Sequence, residues 1–339
     1  MKRLITTIAV LAVTYLSTAQ QDRHFSMFFA NPVQLNPGAA GHIDGDLCIF
    51  TNYRTQWFTV TANPFRSFSA GVDAKLFDNK LKNGFIGTGI NFLNDVSGDA
   101  KFSLNVIQVP INYTLDLNKT SQLSLGLQPG FYAQRLNENA LYFDNQWTGI
   151  DFNTAVSSGE TLGAYNLSRF DLSAGLFYDL KTSDRFNMQL GLGGFHLTAQ
   201  EVSFFQVSEK LYRNFTFYGK AMYRLDDSKL SFHPALFGLF QGPNWELTFG
   251  NNFEIELKES SKHTGYFDGM SLSFGVYYRT SDALMTNIIY KAGALGLGVG
   301  YDINLSGLTV ASKSVGAVEL FLKFTPSFAG SAGGAARIQ

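Results

Sequence analysis

Charge, sulfur and long apolar runs are all scarce in this chain. Of its 339 residues 16% are charged, the formal net charge is −1, and Cys48 is the single cysteine. One thiol excludes a disulfide framework and a multi-thiolate metal site. Because no basic stripe is present, we expect no nucleic-acid partner. Beyond residue 19 no apolar run reaches about eighteen residues, so no transmembrane helix is indicated.

Motifs of enzymes and metal sites are also missing. Neither HExxH spacing nor a cluster suited to zinc is found around the five histidines, His24, His42, His196, His233 and His263. Glycines recur at every second residue in 87–89, 191–193 and 296–300, which predicts one strand face and not a phosphate loop. We therefore expect no catalytic residue, cofactor or metal. An outer-membrane hydrolase remains an alternative, since a Ser–His–Asp grouping is invisible in one sequence.

The first nineteen residues have the pattern of a secretory signal peptide. Lys2 and Arg3 precede an apolar stretch over 4–16, and small residues at 17–19 suit a signal peptidase. We expect cleavage before Gln20 and export from the cytoplasm. A lipoprotein is excluded, because Cys48 lies far downstream of that position.

Glycine and aromatic residues are abundant, with 33 Gly, 32 Phe and 15 Tyr. After Gly41, segments of about ten residues alternate between apolar and small or polar residues, as membrane-spanning strands do. In 170–180 the alternation has one exception, Phe177. A soluble sandwich would bury the apolar face, whereas a transmembrane barrel turns it toward lipid. The predicted export and the aromatic residues near proposed strand ends favour the barrel.

The predicted fold class is therefore all-β: a transmembrane antiparallel β-barrel of about fourteen strands with an N-terminal irregular, plug-like segment. The predicted strands lie near 46–54, 67–77, 85–94, 102–115, 121–134, 169–181, 185–197, 214–225, 229–240, 244–256, 270–279, 284–291, 294–305 and 315–325. The domains are a signal peptide at 1–19, a periplasmic or lumen segment at 20–45, the outer-membrane barrel at 46–328 and a flexible Gly/Ala-rich tail at 329–339.

An even strand number puts both termini on one side, which we expect to be periplasmic. The long connections 135–168 and 198–213 then fall on the extracellular side. Residues 258–269 are long for a periplasmic turn, and they predict either a contact site or a counting error.

The run from Asp22 to Gly41 has neither a helical nor a strand period. Two Asn-Pro steps, Asn31-Pro32 and Asn36-Pro37, disfavour regular structure. Its apolar residues are too many for a free tail, so we expect the run to pack inside the lumen or across the periplasmic mouth. The plug residues that we predict are His24, Phe25, Phe28, Phe29, Asn31, Pro32, Asn36 and Pro37.

Several motifs resemble the PorP/SprF family of outer-membrane proteins of the type IX secretion system in Bacteroidota, and the resemblance spans the mature chain. The motifs at the start are His24-Phe25-Ser26, Phe28 to Pro32, Leu35-Asn36-Pro37, Ala40-Gly41, Asn52-Tyr53-Arg54 and Gln56-Trp57. Those near the end are Tyr278-Arg279, Ser281-Asp282, Gly300 to Ile303, Ser306 to Leu308, and Gly316-Ala317 with Glu319. The chain departs from the family at Arg23, where Pro is frequent, and at Val318, where His is frequent.

The resemblance implies a non-enzymatic protein of the outer membrane that supports export or surface attachment of cargo with a C-terminal sorting domain. Some relatives serve gliding adhesins. The implied partners are periplasmic and outer-membrane components of the secretion system, the cargo, and outer-membrane lipid. The alternative is a channel or transporter for hydrophobic or small solutes.

Strand parity also predicts a polar network inside the barrel. If Leu47 and Ile49 face lipid, then Arg54 points inward, and the same parity turns Arg279, Asp302 and Glu319 inward. The first and last strands are neighbours on closure. We therefore predict a network of Arg54, Arg279, Asp302 and Glu319 that neutralises lumen charge and holds the plug segment. The alternative is a wet lumen with unrelated polar residues.

Overall fold

The computed structural model describes residues 22–78, 80–137, 140–159, 165–204, 208–259 and 269–328. The predicted signal peptide at 1–19 and tail at 329–339 lie outside this part of the chain. The strands, numbered in chain order, are β1 Leu47–Gln56, β2 Phe65–Leu76, β3 Gly84–Ser97, β4 Phe102–Gln108, β5 Ile111–Asp116, β6 Ser121–Arg135, β7 Asn166–Ser183, β8 Phe186–Phe195, β9 Asn214–Arg224, β10 Leu230–Gln241, β11 Asn244–Lys258, β12 Met270–Arg279, β13 Ala283–Ala292, β14 Leu295–Asn304 and β15 Val315–Phe324.

The strands form one closed antiparallel barrel. Sequential strands are neighbours, and β1 pairs with both β2 and β15, which closes the sheet. β4 and β5 are two parts of a single crossing, because both pair with β3 and with β6. The interruption is at Val109-Pro110, where proline has no N–H to donate to the ladder. Fourteen crossings result, which confirms the predicted barrel and its strand number.

Burial alternates along the strands in the sense of a membrane barrel. On β12, Ser271, Ser273 and Arg279 are buried, whereas Leu272 and Phe274 are exposed. Polar residues thus face the lumen and apolar residues face outward, the reverse of a soluble sandwich. Among the described residues, no helix is long and apolar enough to cross a membrane.

The two ends of the barrel differ in their connections. At one end, which we name the turn end, β5 and β6 are joined by residues 117–120 and β13 and β14 by residues 293–294. At the other, the loop end, the long connections 136–165 and 196–213 follow β6 and β8. Residues 260–268 lie outside the described part, but β11 and β12 pair directly, so no strand was miscounted there.

Residues 22–46, named here the lumen segment, run through the interior of the barrel. Three short 3₁₀ turns, at Phe28–Ala30, Pro32–Gln34 and Pro37–Ala39, replace regular structure. Proline begins two of them, and the Asn36 side chain accepts a hydrogen bond from the Gly38 N–H. The hydrophobic core of the protein is therefore inside the barrel, where Met27, Phe28 and Val33 are among the residues that pack on the wall.

The lumen segment takes the first described residues to the end of the barrel opposite the one where β1 begins. β1 begins and β15 ends at the turn end, as the even strand number requires. Ahead of β1, however, the chain turns back through the lumen, and Asp22 lies at the loop end beside His196 and Gln241. Strand parity fixes where strands end, but it does not restrict a segment that precedes them.

Candidate functional site

The candidate site is the lumen segment and the wall that holds it. At the loop end, Asp22 is held by two strands, β9 and β10, and by His196, which follows β8. Its carboxylate accepts hydrogen bonds from Asn214 Nδ2 at 2.6 Å and Gln241 Nε2 at 3.2 Å, and His196 Nε2 lies 2.9 Å away. The Asp22 backbone N–H donates to Gln241 Oε1 at 2.7 Å. Asp171 Oδ2 lies 2.9 Å from the other ring nitrogen of His196.

Asp22 and His196 form a buried ion pair outside the membrane-spanning strands. Burial alone disfavours both charges, but each group is stabilised in its charged form by the opposite charge of the other. Burial by itself would raise the pKa of Asp22. The His196 charge and three hydrogen bonds outweigh the effect of burial and lower the pKa of Asp22 to about 2. Burial by itself would lower the pKa of His196. Asp22 and Asp171 outweigh the effect of burial and raise the pKa of His196 to about 10. Both groups are therefore charged near neutral pH.

The next two residues contact further strands of the wall. Arg23 Nε lies 3.0 Å from Asp95 Oδ2 on β3. His24 Nε2 lies 2.9 Å from Glu246 Oε1 on β11. Residues 22–24 thus bind strands around much of the barrel, and they fix the segment across the loop end.

The four predicted network residues lie around Ser26. Arg54 Nη2 lies 2.9 Å and Arg279 Nη2 lies 3.8 Å from Asp302 Oδ2. Ser26 Oγ donates to the same Asp302 oxygen at 2.7 Å and accepts from Arg279 Nη2 at 3.2 Å. The hydroxyl of the lumen segment is therefore a bridge between Arg279 and Asp302, and Asp302 in turn pairs with Arg54.

Glu319 belongs to this cluster through the backbone of the lumen segment. Its carboxylate accepts the Ser26 N–H at 2.6 Å and the Met27 N–H at 3.1 Å, and Asn52 Nδ2 lies at 3.4 Å. The side chain is 1% exposed. Among the described residues, no cation lies within ion-pair distance of Glu319, so its partners are two backbone N–H groups and the Asn52 amide and not the arginines that parity suggested.

Aromatic packing fills the middle of the lumen. Phe29 stacks on Tyr277 with ring centroids 4.8 Å apart, and Phe28 contacts Tyr277 edge-on at 5.6 Å. Phe28 also contacts Phe237 at 5.5 Å and Tyr218 at 6.5 Å. Each of these three wall residues is 1% exposed. Such pairs stabilise the packing beyond the area that they bury.

Lumen-facing glycines make room for the turn at Pro37. A Cβ atom at Gly126 would lie 2.5 Å from the carbonyl carbon of Pro37, and one at Gly193 would lie 2.9 Å from the Leu35 oxygen. The position of Phe177 explains why it departs from the strand pattern: its side chain points inward and lies against Gly38. The wall is thus shaped to fit this segment.

Closer to the turn end, a histidine of the segment lies between a serine and an aspartate. His42 Nε2 is 2.6 Å from Ser124 Oγ, and His42 Nδ1 is 3.6 Å from Asp179 Oδ2. The order resembles a hydrolase triad, but Ser124 and its neighbour Thr114 have 0% exposure. These groups can hold the segment, and a substrate has no access to the serine.

The two long connections at the loop end behave differently. In the described part of 196–213, Val202 and Leu211 pack on Leu104, Val106 and Tyr132 of the inner wall. The apolar residues of this connection thus belong to a core in the barrel mouth. The described part of 136–165 instead exposes a cluster of apolar side chains, Tyr142, Trp147, Ile150, Phe152 and Val156.

Part of this site was predicted from the sequence, and part was not. All the predicted plug residues lie in the lumen, with Phe25, Phe28, Phe29, Asn31 and Asn36 buried. Asp22, Ser26 and His196 were missed. A charge next to the irregular run was the available signal for Asp22, but His196 follows a strand and shows nothing in its local pattern. Among the described residues, no group of three His, Cys, Asp or Glu is arranged to hold a metal.

A family model for the type IX secretion system membrane protein PorP/SprF matches residues 17–324. The chain belongs to the PorP/SprF family. This family is a type IX secretion component of the outer membrane, and the closed barrel with its outward apolar face agrees with that location. No match was found among curated proteins.

Solved structures with a similar fold are outer-membrane transporters. The toluene transporter TbuX of Ralstonia pickettii has a TM-score of 0.51 and 10% identity, over 88% of this chain and 93% of TbuX. The TodX deltaS2S3 mutant of a monoaromatic hydrocarbon channel has a TM-score of 0.50 and 8% identity, over 92% of this chain and 96% of that one. At such identities the likeness shows the fold alone. PorP/SprF and these neighbours are secretion or transport barrels and not enzymes.

Proposed function

We propose that this PorP/SprF protein is a closed docking barrel that supports export or surface attachment of cargo with a C-terminal sorting domain. It acts without catalysis, together with periplasmic and outer-membrane components of the type IX system. Short turns face the periplasm and long loops face outward in bacterial barrels, so the loop end is extracellular and the turn end periplasmic. Gliding adhesins are one class of cargo that the family suggests.

The observation that carries this proposal is the filled lumen. A conducting barrel needs an open polar path, whereas here buried apolar side chains of the lumen segment contact the wall around the interior. The network of Arg54, Arg279, Asp302 and Glu319 holds that segment near the loop end. A barrel whose interior is occupied by its own chain is suited to presenting surfaces at its two ends.

The extracellular surface that we assign to cargo is the connection 136–165. Trp147 and Phe152 lie 5.0 Å apart and Tyr142 lies 5.2 Å from Phe152, with exposed fractions of 51%, 40% and 60%. Exposed aromatic clusters of this kind are typical of protein contact sites. The inward-folded connection 196–213 supports the barrel mouth and leaves 136–165 as the accessible loop.

Affinity purification from native membranes followed by mass spectrometry tests the proposal. We expect sorting-domain cargo and periplasmic secretion components to be recovered with the wild-type protein. A variant with Trp147→Ser and Phe152→Ser should lose the cargo and retain the periplasmic components. Recovery of only unrelated outer-membrane proteins would contradict the secretion role.

A channel for hydrophobic or small solutes is the competing function. It is favoured by the fold, which it shares with hydrocarbon transporters, and opposed by the filled lumen. Uptake of a labelled monoaromatic hydrocarbon by cells that express the protein separates the two, because a docking barrel should give no uptake above cells without it.

A further inference from the structure

Lysines gather inside the barrel at the turn end, below the aromatic layer. Lys220 on β9, Lys291 on β13 and Lys323 on β15 share the inward parity of Tyr218, Ile289 and Phe321. Asp44 of the lumen segment is exposed in the same region. We name Asp44, Lys220, Lys291 and Lys323 the turn-end vestibule.

Two of these lysines have donors to spare. Lys220 Nζ lies 3.5 Å from the Phe29 carbonyl oxygen, and Lys323 Nζ lies 3.3 Å from the Ala30 oxygen. An ammonium group has three donors, so each long contact uses one of them. In the described part of the chain, no carboxylate lies within 4.0 Å of either Nζ. Both ammonium groups are under-satisfied in a partly enclosed space.

The strand order makes the two lysines converge from distant parts of the wall. β9 and β15 are separated by five strands, yet Lys220 and Lys323 reach the carbonyls of consecutive residues. Lys220 also lies within electrostatic range of Lys291 and Lys323. The charges are therefore close enough to act on one ligand.

A glycine lies between Lys291 and Lys323 in the wall. Lys291 on β13 and Lys323 on β15 are both in register with Gly296 of β14. A Cβ atom at Gly296 would meet no atom closer than 3.9 Å. Gly296 therefore places no side chain between the two lysines.

The other charged groups leave a cationic excess. Lys291 pairs with Glu254 at 2.8 Å, His233 lies 3.8 Å from Glu254, and Arg224 pairs with Glu256 at 3.4 Å. Lys181 is 3.8 Å from Asp179. With these pairs set aside, Lys75, Lys220 and Lys323 remain against the carboxylates of Asp44 and Asp73, an excess of one positive charge among these five groups. The Asp73 carboxylate already accepts the Gly41 N–H.

Asp44 indicates which chemistry suits the vestibule. Enclosure by the wall disfavours its charge, but the charges of Lys181, Lys323, Lys291 and Lys220 outweigh it and lower the pKa of Asp44. The vestibule thus already stabilises one carboxylate, although among the described residues no lysine lies close enough to Asp44 for an ion pair.

We propose that the turn-end vestibule binds an acidic segment of a periplasmic protein, whose carboxylates engage Lys220 and Lys323. The site opens toward the turn end and is enclosed by the barrel wall, so a soluble acidic peptide reaches it and membrane lipid does not. This inference rests on the proposed function for the periplasmic placement of the turn end. It adds the chemistry of the partner that docks there.

The test uses fluorescein-labelled hexaglutamate and the purified full-length protein in neutral detergent at low salt, with fluorescence anisotropy. We expect saturable binding that K220Q/K323Q weakens about tenfold or more, because charge-assisted contacts are lost while glutamine still donates to the carbonyls. The matched control K119Q, in the turn 117–120 outside the lumen, should bind as the wild type does. D44N should bind more tightly, since it removes the competing carboxylate.

Absence of binding to the wild type, or equal binding by K220Q/K323Q, would overturn the proposal even if secretion partners still co-purify. A D44N variant that binds no better than the wild type would also count against it. Displacement of the peptide by an equal concentration of inorganic phosphate would assign the site to free phosphate and overturn the peptide reading.

Discussion

Glu319→Ala should release the lumen segment from the wall. The Glu319 carboxylate is the acceptor for the Ser26 and Met27 N–H groups in a buried position. Leaving a buried donor unsatisfied costs about 1–3 kcal/mol, so two donors give about 2–6 kcal/mol. At about 1.4 kcal/mol for each tenfold change, the opened state becomes roughly 30-fold to 10⁴-fold more populated.

Hydrogen exchange measured by mass spectrometry reads this change directly, because amides held by the closed lumen segment exchange through its opening. Peptides that contain Ser26 and Met27 should exchange faster in E319A by the factor above. E319Q keeps one acceptor oxygen, so the exchange rate of these peptides should lie between those of E319A and the wild type. E256A, which removes a lumen-facing glutamate that pairs with Arg224, is the matched control and should leave the exchange of these peptides unchanged. Unaltered protection in E319A would refute the reasoning.

Three further predictions concern the same segment. The Asp22–His196 pair contributes its full stabilisation of the closed lumen segment between about pH 4 and pH 6.5. The stabilisation from Asp22 is lost as pH falls through about 2, and that from His196 is lost as pH rises from 6.5 through about 10. Protection of the Asp22–His24 amides should follow this window, and H196Q should remove its alkaline limb. Gly126→Leu, which would overlap Pro37, should expose residues 35–41 to protease, whereas Gly307→Leu, with no atom near its Cβ position, should not change proteolysis in that region. Arg23→Cys, at a position 33% exposed at the loop end, should react with membrane-impermeant maleimide in intact cells; labelling only after the outer membrane is permeabilised would contradict the threading of the segment.

Strand parity explains why the barrel was predictable. Alternation of small or polar with apolar residues sets the inward face of each strand, and it brought Arg54, Arg279, Asp302 and Glu319 to one side of the wall. The two halves of the fourth crossing were predicted as one strand, since the Val109-Pro110 interruption leaves the register on both sides intact.

The interior was less predictable for a physical reason. The course of the lumen segment depends on contacts between residues far apart in sequence, such as Asp22 with Asn214 or Ser26 with Asp302. No local period encodes such pairs. Phe177 was the clearest sequence sign, because a large aromatic residue on a lumen face needs a partner inside the barrel, and Gly38 is that partner.

Planar-bilayer recording of the purified protein tests the central claim, that the lumen is closed by the protein's own chain. The account predicts that the wild type inserts without stable ion-conducting steps, while E319A, inserted under the same conditions, shows intermittent openings. Stable ohmic openings of the wild type, comparable with those of a diffusion porin, would contradict it.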